Sequence, residues 1–316
     1  MTTDPLVIVD IGARYGIHPS WRYLSKDAIF HLVEADYDES IRLKFKYRND
    51  KNIIVHNCAI LDYNGITDLI ILENSAMSGI HLRRDITPIY RESSRLIQVT
   101  QKKKQKVKCI SLNSLSEEIG TIDFLKIDTE GSEFTILRDF QKLDSLIGIR
   151  CEINFDRLFD NGEESSFLKI HELLIKNNFQ LLNLDYIGKG DWYSKFVSSE
   201  MRYGVLQSTD AVWIKKLELF TNQSPKQIIS TALFCILNNA PDVCLYLLEK
   251  YSEIIHLNLL DTYLVKLKYE VVRHFYKLKW VPGQEISEHK IFFERIFKEK
   301  YPEGVMYNNS EIYNSN

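Results

Sequence analysis

The chain has 316 residues, 45% of them apolar, enough for one large domain or two with a core that needs no staple. Its formal charge of −3 provides no overall positive field, so neither nucleic acid nor an anionic membrane surface is expected as a partner. The five cysteines (Cys58, Cys109, Cys151, Cys235, Cys244) are scattered in apolar runs without zinc or CxxC spacing, which reads as reduced core thiols in a cytoplasmic protein.

In chain order, the N-terminal MTTDPLVIVDIGA is a strand and not a signal peptide, because it lacks a basic flank and Asp10 interrupts its short apolar run. No segment reaches the roughly 18 uninterrupted apolar residues of a membrane helix, so membrane insertion is not expected. LVIVDI (6–11), IFHLVEA (29–35), NIIVHN (52–57), IDFLKI (122–127) and LIGIRCEI (146–153) read as strands. Helical patterns lie between several of them, with Ile41, Phe45 and Tyr47 marking 37–48 and Phe167, Ile170, Leu173 and Leu174 marking 164–177. QKKKQKVK (101–108) has no interleaved aromatics and precedes the strand VKCISL, so it reads as a solvated loop. FQLLNLDY (179–186) and DAVWIKKL (210–217) add two strands. Alternation of this kind implies an α/β fold, a doubly wound and mostly parallel sheet with helices on both faces.

From about 218 the pattern is helical only. Ser224, Pro225 and Gln227 form a capping-box start, and 241–251, 259–275 and 285–299 read as further helices. The expected organisation is therefore a sheet domain over 1–217, a small all-helical appendage over 218–300 that offers a surface for a protein partner or self-association, and a flexible Asn-rich tail over 301–316.

The first strand ends DIGARYG, in which Asp10, Gly12 and Gly16 make a DxGxxxG turn flanking Ala13. Glycines at a strand-to-helix turn mark a cofactor site. A dinucleotide would lay its pyrophosphate on this turn, where the Asp10 carboxylate repels it. S-adenosylmethionine has no phosphate and carries an amino group and a sulfonium, both favoured by a carboxylate. Glu34, with Ala35 after it, closes the second strand, where an acid accepts both ribose hydroxyls. Asn57, Cys58 and Ala59 close the third, at the expected adenine edge.

DIGARYG, LVEAD, AILDYNG (59–65), LKIDTEGSEFTIL and the CEI strand end together resemble the FkbM-type family of S-adenosylmethionine-dependent methyltransferases over about residues 5–215. The resemblance implies a seven-stranded Rossmann-like class I methyltransferase sheet that methylates hydroxyls on sugars, glycans or natural products. Arg14 departs from the family pattern, which usually has a small polar residue there, and the region after 218 has no counterpart in it.

Asp128 ends the fourth strand and is expected to face the transferred methyl, with Glu130 and Gly131 in the turn, Ser132 capping the next helix and Glu133 in its first turn. Asp128 or Glu130 can act as the base for the acceptor hydroxyl; alternatively two acids bind Mg²⁺, or the acids only position the cofactor. No residue is assigned to a metal. Glu152 ends the fifth strand in the same mouth, or else pairs with Arg150. Phe155 after it adds aromatic surface, and His81, in the insertion from Ser75 to Lys106, is a second candidate base. Trp192 and Tyr193, between the last two strands, can stack on a sugar face. The main reading is an O-methyltransferase for a carbohydrate or small-molecule acceptor. A non-catalytic module docked by its helical end, and an RNA or protein methyltransferase, are the rivals.

Overall fold

The computed structural model describes residues 5–82, 100–155, 159–160, 166–189, 206–219, 224–256, 262–277 and 286–300. Its strands are β1 (Val7–Ile11), β2 (Ile29–Val33), β3 (Ile53–His56), β4 (Ala59–Leu61), β5 (Gly65–Leu72), β6 (Gln101–Ser111), β7 (Phe124–Ile127), β8 (Gly148–Asn154), β9 (Phe179–Lys189) and β10 (Leu206–Lys215). Seven of them form one sheet in the order β3-β2-β1-β7-β8-β10-β9. Six of the seven point the same way, and β10 is reversed, antiparallel to β8 and β9 on either side.

The chain steps outward from β1 to β3 and then resumes on the other side of β1 with β7. Right-handed crossovers therefore put the two sets of connections on opposite faces. On one face lie helices α2 (Leu112–Ile119), α3 (Glu133–Asp139) and α4 (Phe167–Lys176), whose Leu112, Leu115, Ile136, Leu137, Ile170 and Leu174 pack against Val9, Ile11, Leu125, Ile127, Ile149, Ile153 and Trp213. On the other are α1 (Tyr37–Lys46) and a short 3-10 turn, Pro19–Leu24, where the sequence suggested a helix after the glycine turn. Pro19 starts that turn, the His18 side chain caps it, and buried Trp21 anchors it against Phe124 at 6.2 Å between ring centroids.

α1 is also oriented differently from its apolar pattern. Ile41 and Phe45 are 47% and 67% exposed, while Ser40 and Leu43 face inward. The Arg48 guanidinium covers the Phe45 ring at 4.3 Å, giving this ring a partner at the surface.

A second sheet, β4-β6-β5, corrects the reading of 101–108 as a loop. In β6, Lys102, Lys104, Lys106 and Lys108 point to solvent, while Val107, Cys109 and Ser111 are buried. The period of two makes this a half-buried strand whose outer positions happen to be lysine. In register across the ladder, Lys106 pairs with Asp68 at 2.8 Å.

The chain divides into two compact units, Asp4–Leu217 and Glu218–Asn316. In the second, α5 (Pro225–Leu237) opens with the Ser224–Gln227 capping box and is buried on every face from Ile228 to Leu237. It is followed by α6 (Pro241–Lys250), α7 (Ser252–His256), α8 (Thr262–Lys277) and α9 (Ile286–Phe297). Residues 301–316 lie outside the described residues. All five cysteines are buried free thiols. No helix among the described residues is long and apolar enough to cross a membrane.

Trp213 is fully buried in the sheet, and its indole N–H donates to His171 Nδ1 at 3.2 Å. Trp213→Ala is expected to cost about 3–5 kcal/mol, read as a lower urea midpoint with an unchanged slope. A midpoint close to wild type would show that this face of the sheet is not the core.

Candidate functional site

β1 and β7 are adjacent parallel strands with Asp10 opposite Lys126, and Lys126 and Asp128 share a face because side chains alternate. This register brings the Lys126 ammonium to 3.1 Å from Asp128 and 3.4 Å from Asp10. Burial alone would push the Lys126 pKa down, but the carboxylates of Asp10, Asp128 and Asp210 and the hydrogen bond to Asp128 hold it above its ordinary value. Burial pushes Asp10 up, and Lys126 opposes that shift. Behind them, burial first and then the charges of Arg150 and Lys126 hold His18 down at about 3, so its imidazole is neutral.

The glycines act differently from the sequence reading. A Cβ on Gly12, at φ +81°, would stand 1.8 Å from the Asp128 carbonyl oxygen, and one on Gly16, at φ +88°, would stand 2.3 Å from the Tyr47 hydroxyl. The close approach at both is to the chain itself, which seats the β1 turn against the end of β7 and against α1.

Beyond the ends of β1, β2 and β7, where the strand order reverses, a cavity is lined by Gly12, Glu34, Ala35, Cys58, Ala59, Asp128 and Glu130 among others. Asp10, Ala13, Gly16 and Asn57 do not line it: Asp10 and Ala13 are buried behind the turn, and the Asn57 amide donates to the Glu34 and Ala35 carbonyls at 3.0 and 3.3 Å. Asn57 therefore ties the ends of β2 and β3 together. Glu34 is buried and accepts the Asp36 N–H at 2.8 Å. Burial pushes its carboxyl up to about 7, against the pull of that N–H and of Arg14. Burial likewise pushes the Cys58 thiol up to about 11, so it presents a neutral wall. Arg14 spans the cavity edge, reaching Glu39 at 3.1 Å and Ser75 at 2.7 Å, and so links the glycine turn to α1 and to the segment after β5.

At the mouth, Asp128, Glu130 and Glu152 offer carboxylate oxygens all within 4.8 Å of one another. Glu130 holds a left-handed backbone at φ +57°, an uncommon conformation for a residue with a Cβ. The turn it occupies is fixed from inside by Glu133, not by Ser132. Ser132 makes no capping bond and its hydroxyl has no partner among the described residues. Glu133 accepts the Thr129 N–H and hydroxyl at 2.9 Å each and the Gly131 N–H at 3.1 Å, so its role is structural. From outside, Gly79 packs so closely that a Cβ there would lie 2.9 Å from Glu130 Cβ. His81 follows, beside Gly131 and 3.7 Å from Asp160.

One expected residue is placed elsewhere, and Arg150, the alternative partner of Glu152, pairs with other acids. Phe155 packs against Phe167 at 5.8 Å and belongs to the edge of the core, and the described partners of Arg150 are Asp185 and Asp210, at 2.6 and 2.8 Å. Trp192 and Tyr193 lie outside the described residues. Sequence reasoning missed Lys126 and Asp160. The alternation in LKID carried the signal for Lys126, while nothing local marks Asp160.

The residue set fits S-adenosylmethionine: an acid at the ribose position, a slot of Cys58, Ala59, Ile60, Leu69 and Ile80 for an adenine, and acids where sulfonium and methyl would lie. The glycine turn leads into a 3-10 turn, Pro19–Leu24, and not into an α-helix whose first N–H groups would receive a pyrophosphate. Three carboxylates are also a donor type that Mg²⁺ takes, but no other observation at the mouth points to a cation.

The strand order, with its reversed penultimate strand and a cavity at the switch point, is that of the class I methyltransferases. Residues 10–181 match the Methyltransferase FkbM domain, and the chain belongs to that family. No curated protein matches the sequence. Among solved structures, the chain is similar to a precorrin-6y C5,15-methyltransferase from Geobacter metallireducens (11% identity, covering 68% of this chain and 82% of that one, TM-score 0.33). It is also similar to M. jannaschii TYW2 in complex with AdoMet (13%, 68% and 71%, TM-score 0.29). Likenesses this distant carry no functional argument.

Glu34 yields a pH prediction. Its folded pKa, about 7, lies above the ordinary 4.5, so between those values the folded protein keeps a proton that the unfolded chain has released. Stability therefore falls as pH rises through that window, and Glu34→Gln removes the loss, stabilising the ligand-free protein by about 1–3 kcal/mol at neutral pH. The same variant should bind S-adenosylhomocysteine about 10–100-fold more weakly. Equal stability of variant and wild type across pH 4.5–7 would contradict the buried placement.

Proposed function

We propose that this protein is an S-adenosylmethionine-dependent O-methyltransferase acting on a hydroxyl of a sugar, glycan or related natural product. The observation that carries this reading is one cavity running from buried Glu34, through an apolar slot, to the Asp128 and Glu130 carboxylates, with a Glu152 oxygen within 4.8 Å of both. When bound, the cofactor supplies a methyl group activated by a sulfonium. The chain's part is to hold an acceptor hydroxyl in line with that methyl and to provide a route for its proton.

Glu34 accepts the ribose hydroxyls and sets how deep the nucleoside lies. The acids at the mouth accept hydrogen bonds from an acceptor hydroxyl, and a polyol offers several such donors at once. Asp128 has a fixed orientation because Lys126 holds one of its oxygens. The free buried thiols suit action in a reducing compartment.

A purified enzyme given labelled cofactor and a panel of sugars and nucleotide-linked sugars should release S-adenosylhomocysteine and a base-stable methyl ether. Asp128→Asn should lower kcat about tenfold or more with cofactor affinity little changed, and EDTA should leave the rate intact. Arrest by EDTA with recovery in Mg²⁺ would replace the reading of the acids as hydroxyl acceptors by a metal site. Tight cofactor binding without turnover on any acceptor would favour a non-catalytic module, and turnover on RNA or protein alone would overturn the acceptor class.

A further inference from the structure

Against the Glu130–Gly131 turn, beside the carboxylate mouth, lies a group of a different kind, the imidazole of His81. His81 is brought there by two pins: Gly79 exchanges backbone hydrogen bonds with Ile70 of β5, at 2.8 and 3.3 Å, and the Asp160 N–H donates to the Leu82 carbonyl at 2.9 Å. The imidazole is thereby set between two surfaces. Its Nδ1 faces the Asp160 carboxylate at 3.7 Å. Its Cδ2, the carbon bonded to Nε2, lies on the Glu130–Gly131 turn, 3.3 Å from where a Gly131 Cβ would stand. Gly131 has φ +117°, and Phe159, buried and adjacent to Asp160, fills the other side of the same absent Cβ. Segments 79–82, 130–131 and 159–160, far apart in sequence, thus converge on one ring.

From this arrangement we propose that His81 is the general base of the methyl transfer and that Asp160 is its positioning residue. The inference rests on the methyltransferase reading of the site. The Asp160 carboxylate, 3.7 Å from Nδ1, favours the tautomer with the proton there and leaves Nε2, bonded to the carbon that lies on the Glu130–Gly131 turn, as the proton acceptor. As the acceptor oxygen forms its bond to the methyl carbon, the carbon–sulfur bond breaks with its electron pair going to sulfur, and the hydroxyl proton passes to Nε2. The Asp160 carboxylate faces the imidazolium that results and stabilises it. An imidazole suits this step better than a carboxylate because its ordinary pKa lies near neutral pH.

His81→Asn should lower kcat about 100-fold while S-adenosylhomocysteine affinity stays within about threefold. Asp160→Asn is read in the cofactor-free protein by NMR: removal of its charge should move the His81 titration to lower pH, and kcat should fall more than KM rises. An unmoved His81 titration in Asp160→Asn would overturn the pairing. Bound S-adenosylhomocysteine with wild-type turnover in His81→Asn would overturn the base while leaving the methyltransferase reading intact. Failure of the wild-type protein to bind S-adenosylhomocysteine would overturn both.

Discussion

The ammonium of Lys126 between the carboxylates of Asp10 and Asp128 is the interaction on which the site is built. It lies where the two central strands end, and it lets two acids stand side by side, Asp128 lining the cavity and Asp10 behind it. Without the cation, the buried Asp10 carboxylate would face the Asp128 carboxylate uncompensated and would take up a proton more readily. Removing Lys126 strands the buried Asp10 carboxylate, a loss of a kind that costs about 3–5 kcal/mol. The same contact orients Asp128, so the fold's central register and the chemistry of the mouth depend on one side chain. Gly12 belongs to the same construction, since only the absence of a Cβ lets the β1 turn sit against the Asp128 carbonyl.

Around this base, the mouth is assembled by segments that reach it from elsewhere. β5 and β6 form their own small sheet and carry the 75–82 stretch to the Glu130 turn, while Arg14 ties the glycine turn to Ser75 at the start of that stretch. Glu133 fixes the turn from beneath by accepting three donors, and Gly79 fixes it from above by having no side chain. A strained backbone at Glu130 persists because both sides hold it. The result is a carboxylate mouth whose geometry is set before any ligand arrives, as catalysis by positioning requires.

Much of the sheet is legible in the sequence because apolar runs ending in Asp10, Glu34 and Asp128 carry both the strand signal and the site signal. What is not legible has physical causes. β6 hides under its lysines, since composition says solvent while the alternation with Val107, Cys109 and Ser111 says strand. α1 misleads because Phe45 finds its partner in Arg48 at the surface, and the inward face uses Ser40 and Leu43. DxGxxxG suggests glycines cleared for a ligand, yet both clear space for the chain itself, and Asp10 lies behind the cavity instead of lining it. Asp160 was out of reach because its role comes from tertiary convergence on His81.

What fills the cavity above Glu34 decides the cofactor class. Isothermal titration of the purified protein with S-adenosylhomocysteine, in parallel with NAD, tests this most directly. Micromolar binding of the first and none of the second is the predicted result. Binding of NAD, or of neither, would contradict the assignment of Glu34, the Cys58–Ile60 slot and the Lys126-anchored acids to an S-adenosylmethionine site.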